Sequence, residues 1–290
     1  MKALAKLKQD LEFIKGFGEV IDTIKTAALV EFRFFQGREK LINTAFLKEL
    51  EGAFNLLMSG GIASPYLSAD KPLPQALVII TSDEGFLGEL NTLCINSAFQ
   101  NRQSDKDEII VLGERGARYL ADRGDNFVSF PGISERVDAK ESQRLVNYLL
   151  RRYNRHIGRI TVVYPQFLSL TSQRITIFTL LPYSLTAPKL DVSRKQADML
   201  IEPSLSKVVK SMVNLWMNYK LLEMFFSAKQ AEFAARIMHL EGSTQELSLI
   251  NKKVTLSYFK QLHALSDKTI REISAAKILL KKKMSITVAG

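Results

Sequence analysis

The chain has 290 residues, of which 46% are hydrophobic and 24% are charged, which is typical of a folded globular protein. Its formal net charge of +10 predicts an acidic partner, such as nucleic acid, an anionic membrane or an acidic protein surface. The single cysteine, Cys94, excludes an internal disulfide and fits a reducing compartment. The N-terminal segment has no apolar core, so we expect no signal peptide. No uncharged run reaches the length of about 18 residues that a membrane-spanning helix needs.

The first predicted element is a long N-terminal helix with one apolar face. Apolar residues recur at three- and four-residue spacing along residues 4–35. The first proline is Pro65, so we expect a coiled-coil helix over residues 1–60 that ends at a glycine cluster. Gly16 and Gly18 each cost about 1 kcal/mol in a helix interior, which allows a bend at this point.

Residues 70–202 follow a different pattern and predict an inserted α/β domain. The predicted strands cover residues 76–81, 108–112, 159–164 and 174–181, and the predicted helices cover residues 91–101, 115–123 and 139–156. Short apolar strands that alternate with helices are typical of a mostly parallel sheet covered on both faces. Because no helix separates the last two strands, we expect them to form an antiparallel edge pair.

A second long helix is predicted over residues 203–290, because an apolar residue recurs there at every seventh position. The stripe consists of Leu205, Met212, Tyr219, Phe226, Phe233, Leu240, Leu247 and Val254. A strict seven-residue repeat keeps one stripe facing a partner helix in a left-handed coiled coil. At 1.5 Å per residue, the segment 204–283 would be roughly 120 Å long, so it is built to span distance.

Both apolar stripes need a partner, and two arrangements satisfy them. The stripes either pair with each other or form two independent coiled coils that each close on another molecule. We favour pairing within the chain, since one chain supplies both stripes. The predicted fold class is therefore α/β: two long terminal helices form one discontinuous antiparallel coiled coil, with an inserted Rossmann-like, doubly wound domain.

Two glycine pairs follow predicted strands and raise the question of a nucleotide site. They are Gly85 with Gly88 and Gly113 with Gly116. Neither pair completes the G-x-G-x-x-G spacing of dinucleotide folds, and no Walker lysine follows either of them. Two carboxylates precede Gly85 and would repel a phosphate. We therefore interpret these glycines as tight strand-to-helix turns and expect no cofactor.

Residues able to carry catalysis or bind a metal are sparse in this sequence. The chain has three histidines, and two of them, His239 and His263, lie 24 residues apart on the C-terminal helix. Cys94 lies in an apolar helix, where packing is a commoner role than nucleophilic catalysis. We expect neither a catalytic residue nor a metal site.

Three motifs, in order along the chain, resemble the gamma subunit of rotary F-type ATP synthases. Residues 14–15 and 20–28 (IK and VIDTIKTAA) are similar to the family segment IK…KIT.AM.MVAA. Residues 81–91 (TSDEGFLGELN) resemble the family motif SDRGLCGGLN. Residues 232–238 (EFAARIM) and 271–273 (REI) resemble E..ARM.AM..AT and the terminal T.E..EI..GA. The resemblance covers the whole chain in the order helix, α/β insert, helix.

The chain also departs from the family pattern. Leu87 and Glu89 replace the cysteine and the second glycine of the turn motif, and Ile24 stands where the family commonly has Met. Leu262 and His263 replace an Arg-Gln pair, and the chain continues past the usual end. The departures indicate a divergent rotor subunit, as in an alternative F-type ATPase.

The resemblance implies a non-catalytic subunit of a membrane ATP synthase. The globular foot would ride on the ion-driven c-ring, and the coiled coil would enter a hexamer of alpha and beta subunits. An epsilon subunit would be a further partner, and no cofactor or nucleic acid would be bound. The implied location is peripheral, on the cytoplasmic face of a bacterial-type energy-coupling membrane, or on the matrix or stromal face in an organelle.

The resemblance also suggests three groups of functional residues. A neck that faces the acidic lever of the beta subunit, and that we expect to be solvent-accessible, comprises Ile24, Lys25, Arg33 and Arg236. A shaft segment near the catch loop comprises Leu262, His263, Arg271 and Glu272. The turn motif of the foot comprises Asp83, Gly85, Gly88 and Asn91.

The competing interpretation is a basic coiled-coil protein associated with nucleic acid. It rests on the net charge of +10 and on the lysine run 281–283. Cations are also favoured at a helix C-terminus, and no aromatic–basic interleaving or helix-turn-helix pattern occurs. A third class, a Rossmann-type enzyme with helical arms, lacks a phosphate-binding loop.

Overall fold

A computed structural model describes residues 2–36, 44–59, 64–66, 72–183, 202 and 204–287. The elements in chain order are α1 (Lys2–Gln36), α2 (Thr44–Ser59), β1 (Gln75–Ile80), α3 (Leu90–Gln100), β2 (Glu108–Leu112), α4 (Glu114–Asp122), β3 (Val128–Phe130), α5 (Ala139–Arg152), β4 (Arg159–Ser169), β5 (Ser172–Leu181) and α6 (Leu205–Thr287). Three sequence-based expectations lie outside the described residues: helix through 37–43, the glycine cluster at 60–63, and the side chains of the lysine run 281–283.

The chain divides into two compact units, which we describe separately. The smaller unit comprises Met1–Thr26 and Leu240–Gly290, and the larger unit comprises Ala27–His239. Helices α1 and α6 therefore contribute residues to both units. The predicted domain boundaries near residues 60, 70 and 203 lie beside residues outside the described part of the chain, so they stay predictions.

The larger unit contains a five-stranded sheet with the order β3-β2-β1-β4-β5. Strands β1, β2, β3 and β4 are parallel, whereas β5 runs antiparallel to β4. The predicted parallel sheet with an antiparallel edge pair is thus confirmed. Strand β3 was missed, because three residues at a sheet edge are too few to produce a recognisable pattern.

Both faces of the sheet are buried, which explains the continuous apolar runs of its strands. Helices α3 and α4 cover one face, where the fully buried contacts involve Ile79, Ile95, Ala98, Val111, Leu120 and Val163. Helices α5 and α6 cover the other face, where the core includes Val78, Ile110, Leu145, Leu149, Val162, Trp216 and Phe225. The sheet is therefore covered by helices on both faces, as its pattern predicts, although α6, which lies outside the predicted insert, supplies part of the second layer.

In the larger unit, an aromatic cluster joins the end of α1 to α6. Phe35 is fully buried, and its ring centroid lies 5.9 Å from that of Phe226 and 5.7 Å from that of Phe233. Phe32 is 7% exposed and contacts Phe167 edge-on at 5.5 Å. The two heptad positions Phe226 and Phe233 thus pack on the apolar face of α1, as the sequence predicts.

In the smaller unit, α1 and α6 run antiparallel and pack along their apolar stripes. Lys25 Nζ lies 3.3 Å from Glu241 Oε2, and a β-carbon added at Gly18 would lie 3.4 Å from Leu247 Cδ2. Residue numbers therefore rise along α6 as they fall along α1. Gly18 has no side chain at the point where the two helices approach each other closely. Helix α1 nevertheless continues without interruption through Gly16 and Gly18.

The C-terminal part of α6 has no partner helix in this unit. Extending the pairing of Gly18 with Leu247 places the start of α1 opposite about residue 263 of α6. All side chains from His263 to Ile278 are exposed, including the apolar Leu265, Ile270 and Ile273. Across the described residues, no helix combines the length and apolarity needed to cross a bilayer. We name residues 263–278 the α6 tip.

We expect the aromatic cluster to dominate the attachment of α1 to the larger unit. Phe35→Ala should lower the free energy of unfolding by about 3–5 kcal/mol, because it leaves a cavity among buried rings. The control Val30→Ala changes an exposed residue of the same helix and should stay within about 0.5 kcal/mol. Urea titration followed by Trp216 fluorescence measures both, because the only tryptophan lies in this unit. Equal midpoints for the two variants would contradict the packing.

Candidate functional site at the carboxyl edge of the sheet

The turn formed by residues 82–91 connects the central strand β1 to α3 at the carboxyl edge of the sheet. Its first residue, Ser82, donates a hydrogen bond from its hydroxyl to the carbonyl of Glu84 at 2.8 Å. The Asn91 side chain accepts from the Ser82 amide at 3.2 Å and donates to the Ser82 hydroxyl at 2.9 Å. Asn91 therefore closes the turn by joining its last residue to its first.

Three other motif residues of this turn also have structural contacts. Asp83 Oδ1 accepts a hydrogen bond of 2.8 Å from the amide of Glu114, which satisfies a free backbone donor in the first turn of α4. A β-carbon at Gly85 would lie 2.9 Å from Arg115 Nη2, and Gly88 adopts a φ of +58°. The structure thus brings together the four predicted turn residues and gives each a role in shaping the turn.

The second glycine pair serves close packing between β1 and the start of α4. Gly113 has a φ of +103°, and a β-carbon there would lie 2.5 Å from the carbonyl oxygen of Thr81. A β-carbon at Gly116 would collide with the Thr81 hydroxyl, to which the Gly116 amide donates at 3.2 Å. The interpretation of this pair as a tight turn is therefore confirmed.

A buried charged cluster ties this turn to α6. The side chain of Arg236 is 5% exposed, and its Nη2 lies 2.9 Å from Glu232 Oε1 and 3.1 Å from Glu84 Oε2. Its Nε donates to the carbonyl of Gly85 at 3.3 Å. Lys229 Nζ extends the chain of charges to Glu232 Oε2 at 2.9 Å. We name Glu84, Lys229, Glu232 and Arg236 the Arg236 cluster.

The Arg236 cluster joins two of the sequence motifs, the turn motif and the α6 motif. Arg236 was predicted as a site residue, whereas the other three members of the cluster, Glu84, Lys229 and Glu232, were not. The spacing of Lys229, Glu232 and Arg236 at three and four residues was a usable signal, because such residues are neighbours on a helix. The contact to Glu84 had no sequence signal, since the two residues are 152 positions apart.

The structure corrects the expected neck in part. Arg236 is buried, so the prediction that it is solvent-accessible is wrong. Two carboxylates and one backbone carbonyl of the same unit hold its guanidinium. Lys25 pairs with Asp22 at 3.0 Å and with Glu241 at 3.3 Å, and the hydrogen bond that its ammonium donates to Asp22 is the main cause that raises the pKa of Lys25. Ile24 is half-buried and Arg33 is exposed.

Of the predicted shaft residues, Leu262 lies just before the α6 tip and the other three lie within it. Leu262 is half-buried at the point where α1 begins on the opposite side, whereas His263, Arg271 and Glu272 are exposed. Glu272 Oε1 lies 3.9 Å from Lys268 Nζ, a weak pair one helical turn apart. His263, Arg271 and Glu272 therefore lie on a surface that no other described residue covers.

Two further observations bear on catalysis. Cys94 is fully buried in α3, and this burial raises the pKa of its thiol to about 12, which keeps it protonated at neutral pH. Its role is packing between α3 and the sheet, as we expected. In the parts of the chain that the structure describes, no group of three His, Cys, Asp or Glu side chains could hold a metal ion.

The Arg236 cluster predicts that losing the charge of Arg236 and losing the charge of Glu84 lower the free energy of unfolding by very different amounts. Arg236→Gln removes a buried charge and one of the two cations that hold Glu232, so it should lower the free energy of unfolding by about 3–5 kcal/mol. Glu84→Gln changes a side chain that is 66% exposed and should cost at most about 1 kcal/mol. Urea titration with Trp216 fluorescence distinguishes them. Similar small losses in both variants would show that the cluster does not hold the turn on α6.

Comparisons with known proteins agree with this geometry. A family model described as ATP synthase matches residues 3–276. The ATP synthase gamma chain of Chlorobium phaeobacteroides is 25% identical over 294 residues, covering 97% of this chain and 100% of the relative. The gamma chain of Pelotomaculum thermopropionicum is 22% identical over 280 residues, covering 94% of this chain and 97% of the relative.

Solved structures share the fold at low sequence identity. A chain of the Euglena gracilis mitochondrial ATP synthase, solved with OSCP, F1 and c-ring, has a TM-score of 0.72 at 15% identity and covers 96% of this chain and 95% of its own length. A rotor chain of the same enzyme has a TM-score of 0.66 at 19% identity, with 91% and 99% covered. The turn motif, the α6 motif and the long paired helices thus occur together in one family, and this chain belongs to the ATP synthase family, with the fold of its central-stalk gamma subunit.

Proposed function

We propose that this chain is the central-stalk rotor of an F-type ATP synthase and transmits torque between a membrane ion-driven ring and a catalytic hexamer of alpha and beta subunits. The catalytic sites lie in the beta subunits, and the rotor contributes none. The observation that carries the proposal is the α6 tip. Its exposed apolar residues call for an enclosing partner, and none of the described residues of this chain covers them.

The α6 tip is a poor structure for a chain that works alone. Leu265 is 38% exposed, Ile270 is 61% exposed, Ile273 is 54% exposed and Ile278 is 67% exposed. A single helix of about 15 residues is marginal in water, and apolar side chains on it favour association. A socket at the centre of a ring of subunits would enclose this helix from all sides while leaving it free to turn. This arrangement explains why α6 extends beyond its partner α1.

The Arg236 cluster suits the transmission of torque within the larger unit. It fixes the turn of the sheet to α6 through one buried arginine, two carboxylates and a backbone carbonyl. The sheet and the helix would then rotate as one body, because separating them would leave the buried Arg236 guanidinium without the Gly85 carbonyl that it contacts. An asymmetric shaft that turns inside the hexamer favours a different conformation of each beta subunit in succession.

The remaining parts of the proposal concern partners and location. We infer that the larger unit binds the c-ring and an epsilon subunit, and that the complex is peripheral on the cytoplasmic face of an energy-coupling membrane. The net charge of +10 supports contact with acidic surfaces of the beta subunits. Nucleic acid is disfavoured as a partner, since the two long helices pack on each other and on the sheet.

Assembly tests the proposal directly. A tagged full chain co-produced with the alpha and beta subunits should recover both in an ATP-hydrolysing complex, whereas the chain alone should hydrolyse no ATP. A double variant of the tip, Ile270→Asp with Ile273→Asp, should lower this recovery, because carboxylates would have to enter an apolar socket. The matched control is Lys268→Asp with Glu272→Lys, which changes two exposed polar residues of the same segment.

Two outcomes of this experiment would contradict the proposal. Equal recovery of alpha and beta subunits by the tip variant and its control would show that the tip is not enclosed. Retention of the full chain on a nucleic-acid column at physiological salt, without capture of either subunit, would favour the basic coiled-coil alternative.

The neck provides a second, finer test. We infer that Ile24, Lys25 and Arg33 meet the acidic lever of the beta subunit, and that each contact contributes only about 0–1 kcal/mol because it breaks at every step. Ile24→Lys adds an ammonium beside the lever and should lengthen one dwell, so the assembled complex should pump fewer ions per ATP hydrolysed. Thr23→Lys is the control, because it adds the same charge on another face of α1.

Assembly and ATP-driven pumping in membrane vesicles are measured together for both variants. Normal pumping by a normally assembled Ile24→Lys complex would overturn the contact. Failed assembly would indicate that the half-buried Ile24 serves only to pack α1, and this would also overturn it.

A further inference from the structure

A basic groove lies at the amino edge of the sheet, opposite the turn and the Arg236 cluster. It is open, has a volume of about 540 Å³, and lies between the end of α5, the loop before β4 and the start of α6. Its walls include Tyr66, Arg151, Tyr153, Asn154, Arg155 and Lys210. We call it the basic groove. None of these residues belongs to the motifs that identify the family.

The three cations of the basic groove have no counter-charge among the described residues. Arg151, Arg155 and Lys210 are exposed, none of them forms an ion pair with a described residue, and the groove wall contains no carboxylate. The adjacent Arg152 behaves differently, because its Nη2 lies 2.8 Å from Glu108 Oε2. Among the residues that the structure describes, nothing therefore neutralises the positive charge of the groove.

Helix electrostatics explain only one of these cations. Arg151 lies in the last turn of α5, where a positive charge is favourable. Arg155 follows the end of that helix. Lys210 is the sixth residue of α6, beyond the first turn, so the helix terminus does not account for it. A bound anion would use all three cations together.

The groove also has a rigid aromatic wall. The rings of Tyr66 and Tyr153 stack with centroids 5.6 Å apart, and the Tyr153 hydroxyl donates to the carbonyl of Pro65 at 2.9 Å. Asn154 adopts a φ of +61°, and its amide donates to the carbonyl of Ile157 at 2.8 Å. This turn holds the backbone before and after Arg155, so the cation is presented from a defined position.

From these features we propose that the basic groove binds the phosphate group of an anionic phospholipid headgroup. Cations beside a tyrosine suit the level of lipid headgroups, where the cations bind phosphate and the half-buried ring of Tyr66, supported by the buried Tyr153, contacts the less polar glycerol region. Leu150 adds an apolar surface to the wall. The inference rests on the proposed function, which brings this chain close to a membrane surface.

The proposal is tested by measuring how much of the full chain sediments with phosphatidylcholine vesicles, prepared with and without phosphatidylglycerol. The groove variant combines Arg151→Gln, Arg155→Gln and Lys210→Gln. The control variant combines Lys48→Gln, Arg136→Gln and Lys140→Gln, which are exposed cations elsewhere in the larger unit. Each variant lowers the net charge from +10 to +7, since each removes three positive charges. Trp216 fluorescence checks that both variants are folded. If the triple groove variant does not fold, the single variant Lys210→Glu replaces it in the binding measurement.

We expect the groove variant to bind phosphatidylglycerol vesicles at least about tenfold more weakly than the original chain, since each basic residue near a membrane surface contributes about fivefold. The control should stay close to the original, and no chain should bind pure phosphatidylcholine. Equal losses in both variants would overturn the proposal, because they would reduce it to general electrostatic attraction. Release of the chain by inorganic phosphate, at a salt concentration matched with chloride, would also overturn it in favour of a soluble anion. Recovery of alpha and beta subunits by the groove variant would remain normal, so failure here is separable from failure of the rotor function.

Discussion

One short segment of α6, residues 228–237, packs on the sheet with one side and on α1 with the other. All ten of its residues are buried. Ala235 packs with Leu87 and Leu90 of the turn, while Phe233 and Ile237 pack with the aromatic residues of α1. Its several alanines allow this close approach on opposite sides of one helix. The remainder of the larger unit is arranged around this constraint.

Such burial imposes a condition on the charged residues of the same segment. Lys229, Glu232 and Arg236 cannot reach water, so each needs an opposite charge within hydrogen-bonding distance. Along the helix, Glu232 pairs with both Lys229 and Arg236. The turn supplies two further partners of Arg236, the Glu84 carboxylate and the Gly85 carbonyl. A buried ion pair adds little net stability compared with an apolar substitute, but it penalises any misplacement of its partners. The Arg236 cluster therefore specifies where the turn sits on the helix.

The departures from the family pattern are consistent with this arrangement. The family motif SDRGLCGGLN has arginine where this chain has Glu84, and Glu84 is the residue that pairs with Arg236. Leu87, in place of the family cysteine, is 6% exposed and fills the contact with Ala235. Glu89, in place of a glycine, is exposed and lies just before α3. The turn thus keeps its shape with a different set of side chains.

The sequence by itself determined the two long helices with their apolar stripes, the parallel sheet with its antiparallel edge and the tight glycine turns. These features follow from periodicity, strand length and spacing, which are local properties of the chain. Only the tertiary structure decided that Arg236 is buried rather than exposed, that Lys25 is held by Glu241, and that a three-residue strand completes the sheet. It also brought Tyr66, Arg155 and Lys210 to one groove. The physical reason is that the surroundings of a charge depend on residues far away in the chain, and no local pattern records them.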